Sequence, residues 1–179
     1  MKYLAIIFDG FEEEEAMAPF ALINRAGGEV VIASNKNEVT GSNGFTLSKI
    51  KNLNDIDYKK FDVLIIPGGG GQYKNLMTIS YVHEIIKYFY NQNKVIASIC
   101  AAPTVLGSLG LLKDRNYTCF TSMNADFGGT YHDDGVVVDG NLITARSVAY
   151  SIKFAYTIIE KTLGVDTLKA VWTRIYYEE

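Results

Sequence analysis

Cys100 lies in the sequence KVIASICAAPT, between an apolar β-type run and small residues that can begin a helix. A strand that ends at a cysteine and turns at once into a helix holds the sulfur at a tight elbow, above the carboxyl end of the strand. Open α/β sheets place their chemistry at that edge. The first N–H groups of the helix have no intrahelical partner and favour a thiolate or an oxyanion. Cys100 is therefore the first candidate nucleophile.

The glycine run IIPGGGG, at residues 65–71, is a second strand end of interest. Backbone without side chains can bring N–H groups close to a reacting oxygen. The run lacks the Lys and Ser/Thr of a phosphate-binding loop, and a plain turn is the alternative interpretation. Because Cys100 ends a later strand of the same sheet, we predict an oxyanion site made from the Gly69 and Ala101 N–H groups.

Four consecutive glutamates, Glu12 to Glu15, follow the first strand at the start of a predicted helix. Their simplest interpretation is a solvated face, since acidic residues stabilise a helix N-terminus by ~0.3–1 kcal/mol each. We expect at most one of the four to point inward, where burial raises the pKa of a carboxyl and favours its protonated form. Such a neutral carboxyl could donate a hydrogen bond to a thiolate.

A comparison of free energies favours a protonated carboxyl as a partner for the Cys100 thiolate. A free thiol titrates near pH ~8.5, and lowering its pKa to ~5.5 requires about 4 kcal/mol of preferential thiolate stabilisation. A helix N-terminus supplies up to ~2 kcal/mol in favourable geometry. A charge-assisted hydrogen bond from a protonated carboxyl supplies a further ~1.5–3 kcal/mol. An inward glutamate would therefore complete the stabilisation.

The second cysteine and the two histidines fit structural roles better. Cys119 lies in TCF on a predicted strand, where we expect burial, with a redox role beside Cys100 as the alternative. His83 is expected on a helix surface. His132 has two acidic neighbours and could complete a Cys-His-Asp arrangement, although a solvated loop is the simpler interpretation. Neither a disulfide framework nor a metal site is indicated.

Alternating strands and helices predict how these residues are positioned. The pattern predicts an α/β fold with a doubly wound, mostly parallel sheet between helices. The predicted elements are strands at 2–8, 29–34, 63–67, 95–99 and 117–120, helices at 13–25, around 82–89, from 101 and at about 147–163, and hairpins within 35–53 and 136–145. The C-terminal WTRIYYEE is expected to pack as a last helix or against a partner.

Length and composition suit one compact domain. The chain has 179 residues, of which 48% are hydrophobic and 21% charged. A net charge of −3 and the absence of a basic run argue against nucleic acid or an acidic membrane as the main partner. The apolar run at the start is too short for a signal peptide and no run is long enough to span a bilayer, so we expect a cytoplasmic protein.

The chain resembles the DJ-1/ThiJ/PfpI superfamily, and specifically its DJ-1-like branch, in the ordered segments FDGFEEEEAMAP, NRAGGEV, DVLIIPGGGG, SICAAPTVLG and DGNLITAR. The resemblance covers nearly the full length. It implies a single domain over residues 1–179 with a flavodoxin-like fold, commonly dimeric, and it implies no cofactor. It places the family's elbow cysteine on Cys100, its inward glutamate on Glu15 and its oxyanion amides on Gly69 and Ala101. The family's basic residue on the first helix falls on Arg25, as an anion contact or in a structural ion pair.

Three departures from the family pattern bear on the pocket. Phe120 stands where some members carry a histidine after the elbow strand, which argues against a histidine-assisted mechanism. Ala101 follows the cysteine where the protease-like branch has a histidine, which weakens a peptidase interpretation. The segment SVAY at 147–150 replaces a common Gly-Pro turn, so we expect Val148 and Phe120 to shape the pocket wall.

The resemblance implies first an enzyme of glyoxalase or deglycase type. In that enzyme the Cys100 thiolate attacks a small reactive carbonyl or glycated substrate, and Glu15 moves protons. The alternative is an oxidative-stress sensor or chaperone in which Cys100 becomes a sulfinate. A third function, amidase or peptidase, requires His132 to approach Cys100. The expected partners are a small-molecule substrate and a second copy of the chain.

Overall fold

The computed structural model describes residues 1–178, which form an α/β sandwich. The strands are β1 (Lys2–Ile6), β2 (Glu29–Ser34), β3 (Glu38–Thr40), β4 (Thr46–Ser48), β5 (Lys51–Asn52), β6 (Val63–Ile66), β7 (Val95–Ile99), β8 (Asn116–Tyr117), β9 (Thr130–Tyr131), β10 (Val136–Asp139) and β11 (Leu142–Ala145). The helices are α1 (Glu13–Arg25), α2 (Gly70–Thr78), α3 (Ser80–Asn91), α4 (Ala102–Ser108), α5 (Ser151–Leu163) and α6 (Val165–Arg174). Within residues 1–178, no helix has the length and apolar character needed to cross a membrane.

Seven strands form the central sheet, in the order β10-β11-β7-β6-β1-β2-β5. Neighbouring strands run parallel except in the β10–β11 hairpin. This arrangement confirms the predicted doubly wound sheet. After β1 the chain builds outward through β2 and later returns to the other side of β1 with β6, so the strand order reverses between β1 and β6. A crevice opens at the carboxyl ends of the strands at such a point.

Side chains alternate between the two faces of the sheet and make two cores. On β1, Tyr3 and Ala5 pack in the core that includes residues of α1, α5 and α6. Leu4 and Ile6 pack in the opposite core with residues of α2, α3 and α4. Both cores are covered by helices, which is why the central strands are nearly continuous apolar runs.

Several element boundaries differ from the predictions. The strand predicted at 117–120 is regular only in β8, because the residues after Tyr117 bond to side chains and loops instead of a ladder. Helix α5 begins four residues later than predicted, after a 3-10 turn at 148–150. Helix α2, which starts inside the glycine run, was not predicted. Of the C-terminal WTRIYYEE, residues 172–174 end α6 and 175–178 follow it without regular structure, whereas Glu179 lies outside the described residues. Trp172 packs edge-on against Tyr156 at 5.6 Å between ring centroids.

Glu13 joins the β3–β4 hairpin to the start of α1. Its carboxylate accepts hydrogen bonds from the backbone N–H groups of Asn43 at 2.8 Å and Phe45 at 3.3 Å, and from the Asn43 side-chain amide at 2.8 Å. Glu13 is 8% exposed and Glu15 is 1% exposed. The expectation that at most one of the four glutamates points inward is therefore wrong, because the hairpin supplies donors that replace water around Glu13.

We expect Glu13→Ala to destabilise the protein by roughly 2–3 kcal/mol, because it leaves several hairpin donors without their charged acceptor. Glu14→Ala is the matched control, since Glu14 is the exposed neighbour on the same turn. Urea unfolding of the two variants measures the difference. Equal free energies of unfolding would show that the Glu13 contacts do not hold the hairpin.

Candidate active site

Cys100 forms a strained elbow between β7 and α4. Its φ angle is 64°, in the left-handed region that residues with a side chain seldom adopt. Neighbouring backbone holds it there: the Cys100 N–H donates to the Ala145 carbonyl at 2.9 Å, and the Cys100 carbonyl accepts from the Phe120 N–H at 2.8 Å. The side chain is partly exposed. A strained residue fixed by its surroundings in this way is typical of a functional position.

Glu15 approaches the elbow from the first turns of α1. Its Oε2 atom accepts a hydrogen bond from the Gly68 N–H at 2.9 Å. Its Oε1 atom is buried and has no partner at ordinary hydrogen-bond geometry. The Cys100 thiol interacts with the same carboxyl and can satisfy its remaining hydrogen-bonding capacity. The structure therefore brings together the two side chains that the sequence assigned to catalysis.

The glycine loop after β6 closes the other side of the site. A Cβ atom on Gly68 would lie 2.6 Å from Oε2 of Glu15 and 2.7 Å from Cβ of Cys100, so a side chain has no room between them. Gly69 has a φ angle of 108° and is the N-cap residue of α2. The N–H groups of Gly69 and Ala101 both interact with the Cys100 sulfur. The two predicted oxyanion donors thus flank the candidate nucleophile.

Burial dominates the electrostatics of this pair. It raises the pKa of Glu15 to about 7, against the opposing effect of hydrogen bonds from Cys100 and the Gly68 N–H. Burial, followed by the charge of an ionised Glu15, also raises the pKa of Cys100, while the Ala101 and Gly69 N–H groups lower it. Two adjacent buried groups do not both ionise readily, so the pair keeps one proton above pH 7. A thiolate forms most easily when Glu15 holds that proton.

Phe120 and Val148 lie at the edge of the sheet that carries the elbow. They are 42% and 39% exposed. The Phe120 N–H bonds to Cys100, and Val148 follows three residues after Ala145, which also bonds to Cys100. Their role as a pocket wall stays a prediction.

His132 lies toward the opposite end of the strands from Cys100, which favours the simpler interpretation of a loop residue over the alternative place in the pocket. Its Nε2 atom is 2.7 Å from Oδ1 of Asn116, and the Asn116 N–H donates to Asp139 at 2.6 Å. In the sheet, Asp139 pairs with Leu142, which in turn pairs with Ile96, so Asp139 and Ile96 lie at the same height along the strands. Ile96 precedes Cys100 by four strand residues, which is about 13 Å. A Cys-His-Asp arrangement is excluded by this anchoring.

Arg25 and Cys119 also lie away from the thiol. Arg25 ends α1 ten residues after Glu15, a helical rise of about 15 Å, and its exposed side chain borders a surface groove with Asp166. It is therefore not part of this pocket. Cys119 is fully buried in the core of α2, α3 and α4, whereas Cys100 packs against the opposite core. Burial raises the pKa of Cys119 to about 11, and the thiols do not share a face.

Arg146 is a residue near the site that the sequence analysis did not single out. Its guanidinium donates to Oδ1 of Asp133 at 2.7 Å and to the Tyr150 hydroxyl at 2.5 Å. These bonds fix the segment that carries Val148. A basic residue directly after the β11 strand end is the sequence signal that could have indicated Arg146.

Within residues 1–178, no three His, Cys, Asp or Glu side chains are grouped in a way that could hold a metal ion.

Comparison with known proteins gives the family. The family model described as the DJ-1/PfpI family matches residues 1–161. The chain belongs to the DJ-1/PfpI family. This confirms the resemblance seen in the sequence motifs, including the segments that carry Glu15 and Cys100.

Relatives within the DJ-1/PfpI family span nearly the whole chain. Deglycase TK1284 of Thermococcus kodakarensis is 35% identical over 82% of this chain and 90% of its own length. The crystal structure of Drosophila melanogaster DJ-1beta matches with a TM-score of 0.92 at 31% identity, covering 99% of this chain and 98% of the other. Oxidized Toxoplasma gondii DJ-1 matches with a TM-score of 0.91 at 26% identity, covering 99% of each chain.

We expect Glu15→Gln to stabilise the protein in a pH-dependent way. The folded-state pKa of Glu15, about 7, exceeds its ordinary value of 4.5. The carboxyl's contribution to stability is therefore complete below pH 4.5 and is lost as the pH rises through 7. Glutamine imitates the protonated form, so the variant should gain up to about 3 kcal/mol over wild type at pH 8 and little at pH 4.5. Chemical unfolding at both pH values measures this, with Glu14→Gln as the control. A pH-independent difference would contradict the raised pKa.

Proposed function

We propose that this protein is a cofactor-independent enzyme that acts on small reactive carbonyl compounds through Cys100, in the manner of a glyoxalase or deglycase. The observation that carries the proposal is the contact between a buried carboxyl and a thiol flanked by two backbone N–H donors. Membership of the DJ-1/PfpI family and the similarity to a protein named deglycase support the same class of chemistry.

The first step is proton transfer within the pair. The Cys100 thiol gives its proton to the Glu15 carboxylate, and the resulting thiolate is stabilised by the Gly69 and Ala101 N–H groups. The pair's net charge does not change in this step. Glu15 is then a neutral acid beside a nucleophile, which is the arrangement that a carboxyl of raised pKa provides at neutral pH.

The second step is attack on a carbonyl carbon. With methylglyoxal, the sulfur adds to the aldehyde, and the new oxyanion lies near the two N–H groups until Glu15 protonates it. The Glu15 carboxylate next removes the proton from the former aldehyde carbon, the hydroxyl proton on that carbon's oxygen passes to the ketone oxygen, and Glu15 returns its proton to the adjacent carbon, which leaves a thioester on Cys100. Water hydrolyses the thioester to lactate and restores the thiol. The product contains the atoms of methylglyoxal and one water.

We expect Cys100→Ser and Glu15→Gln each to reduce lactate production from methylglyoxal by at least about 100-fold. Cys119→Ala and Glu14→Gln are matched controls that should retain near wild-type rates. The Cys119 thiol is buried away from the site, and the Glu14 carboxyl is exposed. Enzymatic quantification of lactate gives the readout. Unchanged turnover in the Cys100 and Glu15 variants would contradict the proposed mechanism.

Adducts of methylglyoxal with amines or thiols are the related substrate class. Such adducts release free methylglyoxal spontaneously, so loss of adduct alone does not identify the species attacked. The initial rate of adduct loss at rising enzyme concentration separates the two cases. A rate that exceeds spontaneous release indicates direct action on the adduct, and a plateau at that rate indicates action on the free carbonyl.

A second function, an oxidation sensor, is favoured by the partial exposure of Cys100 beside donors that can bind a sulfinate. The similar structure of Toxoplasma gondii DJ-1 is that of an oxidized form of that protein. In this function peroxide converts the Cys100 thiolate to a sulfenate and then a sulfinate, and each step consumes one peroxide and releases one water.

We expect mild peroxide to add two oxygens to Cys100 and none to the buried Cys119. Intact-mass measurement followed by peptide mapping locates the oxygens. Oxidation of both thiols to the same extent would contradict a selective sensor.

The peptidase function is not proposed, since His132 is anchored away from Cys100. The homodimer, the single domain over residues 1–179 and the cytoplasmic location stay predictions.

A further inference from the structure

Gln72 is a fully buried amide in the first turn of α2. Its Oε1 atom accepts a hydrogen bond from the Phe8 N–H at 2.6 Å. Its Nε2 group donates to the Ile6 carbonyl at 2.9 Å and to the Pro67 carbonyl at 3.3 Å. One side chain therefore binds the backbone that leaves β1 and the backbone that leaves β6.

These bonds occur where the sheet stops supplying partners. The β1–β6 register runs from Tyr3 with Val63 to Ala5 with Ile65, and beyond it the two chains part at the switch point. Buried backbone groups need hydrogen-bond partners. An amide offers both an acceptor and two donors, so Gln72 satisfies both chains. A carboxylate would lack the donors, and an apolar side chain would satisfy neither.

The two strand ends joined by Gln72 lead directly to the site. After Phe8 the chain passes through Gly10 to α1 and Glu15, and after Pro67 it supplies Gly68 and Gly69. The Gln72 N–H also donates to the Gly10 carbonyl at 3.2 Å. Backbone packs closely here, since a Cβ atom on Gly71 would lie 2.8 Å from Cα of Gly10. The Glu12 N–H also donates to the Gly68 carbonyl at 2.9 Å, so the side chain of Gln72 adds to a direct backbone contact between the two loops.

We propose that Gln72 is a positioning residue, which sets the distance between Glu15 on one loop and the Gly68 and Gly69 amides on the other, and thereby the reactivity of Cys100. Gln72 does not touch the sulfur. The inference rests on the proposed role of the Cys100–Glu15 pair and is independent of which substrate the thiolate attacks.

The test measures alkylation of Cys100 by iodoacetamide as a function of pH in the folded protein, with peptide mass spectrometry to separate Cys100 from Cys119. Gln72→Leu removes all three side-chain hydrogen bonds at similar volume. We expect alkylation at pH 7 to fall about 10-fold to 100-fold, and the pH profile to move upward, because a displaced loop stabilises the thiolate less. If this variant does not fold, Gln72→Glu, which keeps only the acceptor for Phe8, carries the same test.

Leu76→Ala is the matched control, because it removes apolar packing from the same helix and leaves the three side-chain hydrogen bonds of Gln72 in place. We expect its pH profile to match wild type even where its melting temperature falls as far as that of the Gln72 variant. Profiles that shift equally in both variants, or in neither, would overturn the positioning role. The readout does not use carbonyl turnover, so failure of the proposed enzyme activity and failure of this inference are distinguishable.

Discussion

The proton shared by Glu15 and Cys100 is the constraint on which the site depends. Burial raises the pKa of both groups, and each makes ionisation of the other more difficult. Above pH 7 the pair therefore carries one negative charge and one proton. The N–H group of Gly68 favours charge on the carboxylate, whereas those of Gly69 and Ala101 favour charge on the sulfur. The backbone around the pair decides where the remaining proton resides.

The sheet explains why these groups meet. Strands β1, β6 and β7 are neighbours in the sheet and run in the same direction, so their carboxyl ends form one edge. One strand end supplies Glu15, the next supplies the glycine loop and the third supplies Cys100. Their close approach requires the absence of a side chain at Gly68 and the left-handed conformation at Cys100. A strained residue and a glycine with no room for a side chain therefore meet where the three loops converge.

Local patterns predicted the parts of this site that depend on local structure. Cys100, Gly69 and Ala101 are set by strand ends and a helix start, and alternation of strands and helices predicted the sheet. Residues whose surroundings come from distant segments of the chain were harder to predict from the sequence. Glu13 is buried because a hairpin thirty residues later supplies donors, and Asn116 anchors His132 at the wrong end of the strands. Gln72 carries no local signal, since its partners lie on two separate strands.

The shared proton also changes the energetics of thiolate formation. A helix dipole and a neutral carboxyl were expected to lower the pKa of Cys100 directly, yet α4 has only seven residues and burial acts in the opposite direction. The proposed transfer of a proton from Cys100 to Glu15 would avoid this difficulty, because it would create the thiolate without adding a second buried charge. In the two proposed functions the same species would attack a carbonyl or be oxidised.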